Sequence, residues 1–157
     1  MRILVLGSGG REHAMAQALE KGGDTIIVAP GNGGTPERRA VDPCDPEHVV
    51  SLCRGEKIDL VLIGPESALA AGVSDALGGA GIKVFGPSRA AAQLETSKSH
   101  CRAFAARHGL PSPRNATFAG PRAAQEAKAW ADAENFPVVV KADGLASGKG
   151  VVVPENK

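Results

Sequence analysis

The chain contains no tyrosine, one tryptophan and four phenylalanines, so aromatics make up only 3% of its 157 residues. Proteins that stack the bases of single-stranded nucleic acid need aromatic platforms, and almost none are available here. Charge of one sign is also lacking: 18 Lys and Arg stand against 17 Asp and Glu, a net of +1. No whole-chain field therefore draws nucleic acid or an anionic membrane surface. The apolar runs fall far short of the roughly 18 residues of a membrane span. Ile3-Leu4-Val5-Leu6 is too short for a signal-peptide core, and no small-residue cleavage site follows it. Cys44, Cys53 and Cys101 are odd in number and lack CxxC spacing, which reads as buried or inert thiols in a reducing compartment. These absences predict a soluble, cytoplasmic protein with neither nucleic acid nor membrane among its partners. What the chain does have is 43% hydrophobic against 22% charged residues, the balance of a folded core rather than of disorder. Its length suits one domain or two small ones without disulfide or metal staples.

Short β-branched runs alternate with Ala-rich amphipathic segments. Arg2–Leu6, Thr25–Ala29, Asp59–Ile63 and Ile82–Phe85 read as four strands whose apolar residues run continuously, as in parallel strands covered on both faces. Helices are predicted over Glu12–Lys21, Pro46–Arg54 and Leu69–Gly78; in the last, Leu69, Val73, Ala76 and Leu77 share one face. Asp42, Asp45 and Glu47 read as capping and dipole charges before the second helix. The alternation argues βαβ units with right-handed crossovers, an α/β doubly wound parallel sheet. Each strand runs into a Gly-bearing turn: Gly7-Ser8-Gly9-Gly10, Pro30-Gly31-Asn32-Gly33-Gly34, Gly64-Pro65-Glu66 and Gly86-Pro87-Ser88. In open α/β sheets that carboxyl edge is where ligands bind.

The pattern changes near residue 97. Ser97 is placed to cap a helix over Lys98–His108, which Gly109-Leu110-Pro111-Ser112-Pro113 ends. A short strand is predicted over Asn115–Phe118, then a helix from Pro121 to about Asn135 with Ala127, Trp130 and Ala131 on one stripe. Pro137–Ala142 reads as a strong strand, and a Gly-rich loop, Asp143–Gly150, opens into Val151-Val152-Val153. A strand–loop–strand unit that stops four residues later, at Lys157, looks cut rather than finished. Its last strand would then offer an unpaired edge, open to a missing C-terminal half or to self-association. No internal repeat and no low-complexity linker appears.

The first turn follows a strand and opens a helix, so backbone N–H groups and the positive end of a helix dipole meet there, which suits a phosphate. As a dinucleotide fingerprint it is defective: Gly7 and Gly9 fit GxGxxG, but Glu12 stands at the third glycine. No acid follows the second strand to take a ribose. A phosphate-bearing ligand of another kind, a dinucleotide and a plain tight turn remain open there, and His13 either packs on its helix or touches ligand. Gly144 and Gly148 are separated by three residues where a Walker A loop has four, and Gly150 stands where that motif has Ser or Thr. The loop also runs into a strand rather than a helix, so a Gly/Lys hairpin closing over a triphosphate is the better reading, beside a mere tight hairpin. Lys141 ends an apolar strand, where an ammonium without an anionic partner is costly, and is read as a phosphate or nucleotide contact. Lys98 is placed to meet a phosphate near its helix start. Glu66 is either a sugar-hydroxyl acceptor or a helix-start charge. No HExxH or GxSxG occurs, and His48, His100 and His108 are scattered.

Taken together these motifs resemble the glycinamide ribonucleotide synthetases, ATP-grasp ligases of purine biosynthesis. The likeness is carried by Gly7-Ser8-Gly9-Gly10-Arg11-Glu12-His13-Ala14, Ala29-Pro30-Gly31-Asn32-Gly33-Gly34-Thr35 and Ile63-Gly64-Pro65-Glu66. It continues through Phe85-Gly86-Pro87, Ala90-Ala91-Ala92-Gln93-Leu94-Glu95, Ser97-Lys98 and Val139–Val151. It spans essentially the whole chain in order, and the family's own chain is well over twice as long.

The resemblance implies a doubly wound phosphoribosylamine-binding domain over residues 1–97 and the first, incomplete part of an ATP-grasp domain over 98–157. It also implies ATP-dependent joining of glycine to phosphoribosylamine through a glycyl phosphate. Lys98, Lys141, Gly148, Lys149 and Gly150 would contact ATP; Gly9, Gly10, Gly31, Asn32 and Glu66 would face phosphoribosylamine. The Mg²⁺ ligands would lie downstream, no catalytic residue is named, and the 157-residue chain alone would be inactive. The alternatives are another ATP-grasp ligase or carboxylase on this scaffold, a non-catalytic phosphosugar- or nucleotide-binding module, and a Rossmann-type oxidoreductase.

Overall fold

The β-branched runs near the N-terminus form the frame. The computed structural model describes residues 1–35, 37–134, 136–146 and 148–154. The chain divides into two compact units, Met1–Gln93 and Leu94–Lys157. In the first, β1 (Arg2–Gly7) leads through α1 (Gly10–Glu20) to β2 (Thr25–Pro30) and a two-residue β3 (Glu37–Arg38). Then come α2 (Pro46–Gly55), β4 (Leu60–Ile63), α3 (Glu66–Ala70), α4 (Val73–Gly79) and β5 (Lys83–Phe85), while α5 (Arg89–Thr96) begins in the first unit and ends in the second. The strands pair in the order β3-β2-β1-β4-β5, all parallel.

Alternation along β1 and β2 sorts the core into two faces. Leu4, Leu6, Ile27, Ala29 and Val61 pack with Val49 and Cys53 of α2, Ala68 of α3, and Val73 and Leu77 of α4. Ile3, Val5, Ile26 and Val28 pack with Met15, Ala16 and Leu19 of α1 on the other. The sheet is therefore wound on both faces, as the continuous apolar runs required. Each fully buried aliphatic side chain contributes about 1.5–3 kcal/mol by leaving water. Cys53 is 1% exposed, and burial pushes its thiol up to about 11. Cys44, in contrast, is exposed, so the reading of all three thiols as buried or inert does not hold for its burial.

Several local expectations change. The helix read over Leu69–Gly78 is two helices, because Gly72 sits between them at φ +87° and caps α4 in a left-handed conformation. Strand β3 was not anticipated; two residues carry no period. Nor was α5, although Ser88 starts it, its Oγ accepting from Ala91 N at 3.2 Å before three successive alanines. Asp45 caps α2 as expected, accepting from Glu47 N and His48 N, with Pro46 in the first turn.

In the second unit, Ser97 caps α6 (Lys98–Arg107), accepting from His100 N at 3.2 Å. Helix α7 is Ala123–Ala133. Asn115–Phe118 takes no strand, since no partner reaches it in the sheet pairings among the described residues. The strand read over Pro137–Ala142 shortens to β6 (Val140–Lys141), paired antiparallel with β7 (Val151–Val152). Asn135 and Ser147, at one predicted helix end and inside the Gly-rich loop, lie outside the described residues.

Candidate functional site

Strand order reverses at β1, whose neighbours are β2 and β4. The turn after β1 faces the turns after both. Gly31 N donates to Gly7 O and Gly64 N to Leu6 O, each at 3.0 Å, so the ladders run one step past the strands and draw the three Gly-rich loops together. This is the switch point at which open α/β sheets take ligands.

One side chain fills the floor of that convergence. Glu12 is 5% exposed, and its Oε2 accepts from Gly9 N at 2.7 Å. A Cβ on Gly7 would lie 2.6 Å from Glu12 Cγ, one on Gly9 2.7 Å from its Oε2, and one on Gly64 would collide with its carboxyl group. Glycine is thus required at these three positions to seat a carboxylate. Glu12 also explains the broken fingerprint: it takes an amide that a pyrophosphate would use. Its Oε1 accepts from Arg11 Nε at 3.0 Å, and Arg11 also donates to Gly64 O and lies 3.8 Å from Glu66 Oε1. The Glu12 carboxylate, chiefly through its hydrogen bond, holds the Arg11 guanidinium above its ordinary range.

The residues singled out for phosphoribosylamine fall here with differing duties. Gly9 backs onto Glu12, so close packing rather than free approach accounts for its being glycine. Gly10 opens α1, and a Cβ there meets nothing within 4 Å. Gly31 has φ +71°, and its missing Cβ leaves room for Thr35 Oγ1 and Arg38. Asn32 is braced at both ends of its amide: Nδ2 donates to Ser8 O at 3.0 Å and Oδ1 accepts from Gly34 N at 2.9 Å. It ties the second loop to the first. Glu66 begins α3 beside Arg11. His13 packs its ring against Gly34, and its Nε2 is buried without a hydrogen-bond partner among the described residues. Arg11 and Glu12 were not singled out, although an Arg-Glu pair in a phosphate-type turn was a usable signal.

The second unit holds the other cluster. Asp143 accepts from Lys98 N at 2.7 Å, Gly144 N at 2.9 Å and Ser99 N at 3.3 Å, and also from Ser99 Oγ. These bonds, that from the Ser99 hydroxyl foremost, hold its carboxyl well below the usual carboxylate range. Lys98 Nζ donates to Gly144 O at 2.8 Å, so the start of α6 and the start of the Gly-rich loop are tied twice. The loop turns through Gly144 (φ +80°) and Gly148 (φ +77°) and closes with Ala142 N donating to Gly150 O at 2.7 Å. A Cβ on Gly150 would sit 2.5 Å from Ala146 Cβ, which makes Gly150 a packing requirement of the hairpin. Lys141 and Lys149 are exposed. Burial at the end of an apolar strand therefore does not oblige Lys141 to have an anionic partner: among the described residues β6 pairs only with β7, and Lys141 is exposed. Among the described residues no three His, Cys, Asp or Glu gather into a set able to hold a metal.

Residues 1–95 match the family description "Phosphoribosylglycinamide synthetase, N domain", and residues 96–157 match "Phosphoribosylglycinamide synthetase, ATP-grasp (A) domain". The chain belongs to the phosphoribosylglycinamide synthetase family. It is 48% identical over 158 residues to phosphoribosylamine--glycine ligase of Ralstonia nicotianae, covering 98% of this chain and 37% of that one. The crystal structure of the Thermotoga maritima phosphoribosylamine--glycine ligase is similar to it with a TM-score of 0.73 and 28% identity, covering 98% of this chain and 36% of the other. N5-carboxyaminoimidazole synthetase from Staphylococcus aureus, complexed with ADP, shares the fold at a TM-score of 0.69 and 19% identity, over 97% of this chain and 40% of its own. The chain thus spans little more than a third of the length of the synthetase relatives it matches. No helix among the described residues is long and apolar enough to cross a membrane.

Proposed function

We propose that the chain supplies the phosphoribosylamine-binding domain (residues 1–97) and the opening part of the ATP-grasp domain (98–157) of a phosphoribosylamine–glycine ligase. The observation that carries this reading is the convergence of three Gly-rich loops on the switch point of the sheet in a member of this family. In the proposed reaction the glycine carboxylate attacks the γ-phosphorus of ATP, giving glycyl phosphate and ADP. The amine of phosphoribosylamine then attacks the acyl carbon, and inorganic phosphate leaves. Such chemistry rests on positioning and on neutralising the transferring phosphoryl. Lys98, Lys141 and Lys149 supply cations to the nucleotide, with Gly148 and Gly150 shaping the loop over its phosphates. The first turn of α1 at Gly10, the loop Gly31–Asn32 and Glu66 face the sugar phosphate, with Gly9 fixing that turn from behind. Mg²⁺ accompanies the nucleotide and is assigned to no described side chain. The setting is cytoplasmic.

The test is a chimaera of residues 1–157 followed by the remainder of the Ralstonia nicotianae ligase. It is expected to form ADP only with glycine and phosphoribosylamine together, whereas the 157-residue chain alone forms none. Turnover that prefers bicarbonate to glycine would assign the chain to the carboxylases of the same fold. Ligand binding without ADP release would leave only a binding module.

Gly10 separates folding from binding. A methyl there touches no protein atom, and alanine is the better helix former by up to about 1 kcal/mol. Gly10→Ala is expected to keep or slightly raise the melting temperature of the chain while weakening ribose 5-phosphate binding about tenfold, measured by calorimetry. Unchanged affinity would remove Gly10 from the site.

A further inference from the structure

The buried carboxylate at the switch point has a directional consequence. Glu12 reaches back from the first turn of α1 to Gly9 N, which by itself is half of a capping box. Capping needs neither burial nor three glycines from two loops, yet Gly7, Gly9 and Gly64 all give up a Cβ to this one side chain. The second oxygen grips Arg11, whose side chain is 54% exposed while that of Glu12 is 6% exposed. Arg11 is a planar fork with five donors. Its Nε is used by Glu12 and one terminal nitrogen by Gly64 O, so the remaining donors face the loop edge beside Glu66. Glu12, Arg11 and Glu66 sum to one negative charge, a group suited to the hydroxyls and amine of an aminosugar phosphate. The phosphate itself is better served by the amides that open α1.

We propose that Glu12 is a positioning residue that sets specificity at this edge: it occupies the amide a dinucleotide would claim and locks Arg11 across the ends of β1 and β4 to meet the sugar. Held groups of this kind bind tightly because their geometry is settled before the ligand arrives. The inference rests on the reading of this edge as the phosphoribosylamine site, and the experiment separates the two.

Ribose 5-phosphate is titrated into the 157-residue chain and its Glu12→Gln, Arg11→Ala and doubly substituted forms, with thermal melts alongside. Glutamine still accepts from Gly9 N, so E12Q should melt within a few degrees of the parent; Arg11 is exposed enough for R11A to fold regardless. Each single change is expected to weaken binding about tenfold, and the double change no more than either alone, the signature of one residue acting through the other. In the chimaera E12Q should raise the KM for phosphoribosylamine and leave that for ATP unchanged. Unaltered affinity in E12Q, or additive losses in the double variant, would overturn the role of Glu12. Absence of saturable ribose 5-phosphate binding by the parent chain would overturn the site reading and this inference with it.

Discussion

Gly64→Ala is expected to lower the melting temperature of the first unit by about 4–24 °C. A single methyl at Gly64 would enter the carboxyl group of Glu12, which is buried and held by Gly9 N and Arg11. Neither partner gives way cheaply: the backbone of Gly64 is pinned by its N–H to Leu6 O, and Glu12 has no solvent to swing into. Overpacking of this kind costs about 1–3 kcal/mol, and a unit of this size loses roughly 4–8 °C for each kcal/mol. The cause is checked by a cycle. In a Glu12→Ala background the added methyl finds room, so the further drop from Gly64→Ala should fall to a few degrees. An equal drop in both backgrounds would place the strain elsewhere.

Asp143→Asn is the second change with a large expected effect, and it is read through pH. The folded carboxyl of Asp143 titrates below the usual carboxylate range, its hydrogen bond from Ser99 foremost and those from Gly144, Ser99 and Lys98 amides behind it. A carboxylate whose folded value is depressed stabilises the fold above its unfolded value, near 4, and loses that contribution as pH falls toward the folded one. Melting of the second unit followed from pH 6 to pH 2 should therefore fall steeply in the parent chain below about pH 4. Asp143→Asn, which has no charge to lose, should start lower and show a shallower slope there. The side chain is exposed, so the difference at neutral pH is put at only about 1–2 kcal/mol, less than the sum of its charged hydrogen bonds. In the chimaera the same change is expected to raise the ATP KM about tenfold, because Asp143 joins the start of α6, with Lys98, to the start of the Gly-rich hairpin. Parallel pH slopes in the two proteins would show that the ionised form does not hold the loop.

The parallel sheet of the first unit was legible because its cause is local. Ile3–Leu6 and Ile26–Ala29 are apolar at every position, and only a strand buried on both faces needs that; the structure sends alternate residues to opposite faces as the pleat dictates. Caps were legible for the same reason, since Asp45 and Ser97 bond amides two or three residues away. Elements without a local cause were missed or overstated. Residues Glu37–Arg38 are strand only because β2 lies beside them. Pro137–Val139 are apolar enough for a strand, yet β6 is confined to the two residues that β7 pairs.

The candidate site divides along the same line. That Gly-rich turns would line one edge of the sheet followed from the order of strands and turns alone, since every parallel strand delivers its following loop to the same side. What each glycine is for did not follow. Gly9 reads as facing a phosphate and backs onto Glu12; Lys141 reads as an anion contact ending an apolar strand and is exposed; Asn32 reads as a ligand contact, and its amide also braces one loop against another. Residue order therefore determined the winding of the sheet and the edge at which chemistry is placed. Only the tertiary structure decided that a buried carboxylate sits at the switch point, because its seat is built by glycines 7, 9 and 64, and no local pattern records that the last of these folds back onto the first two.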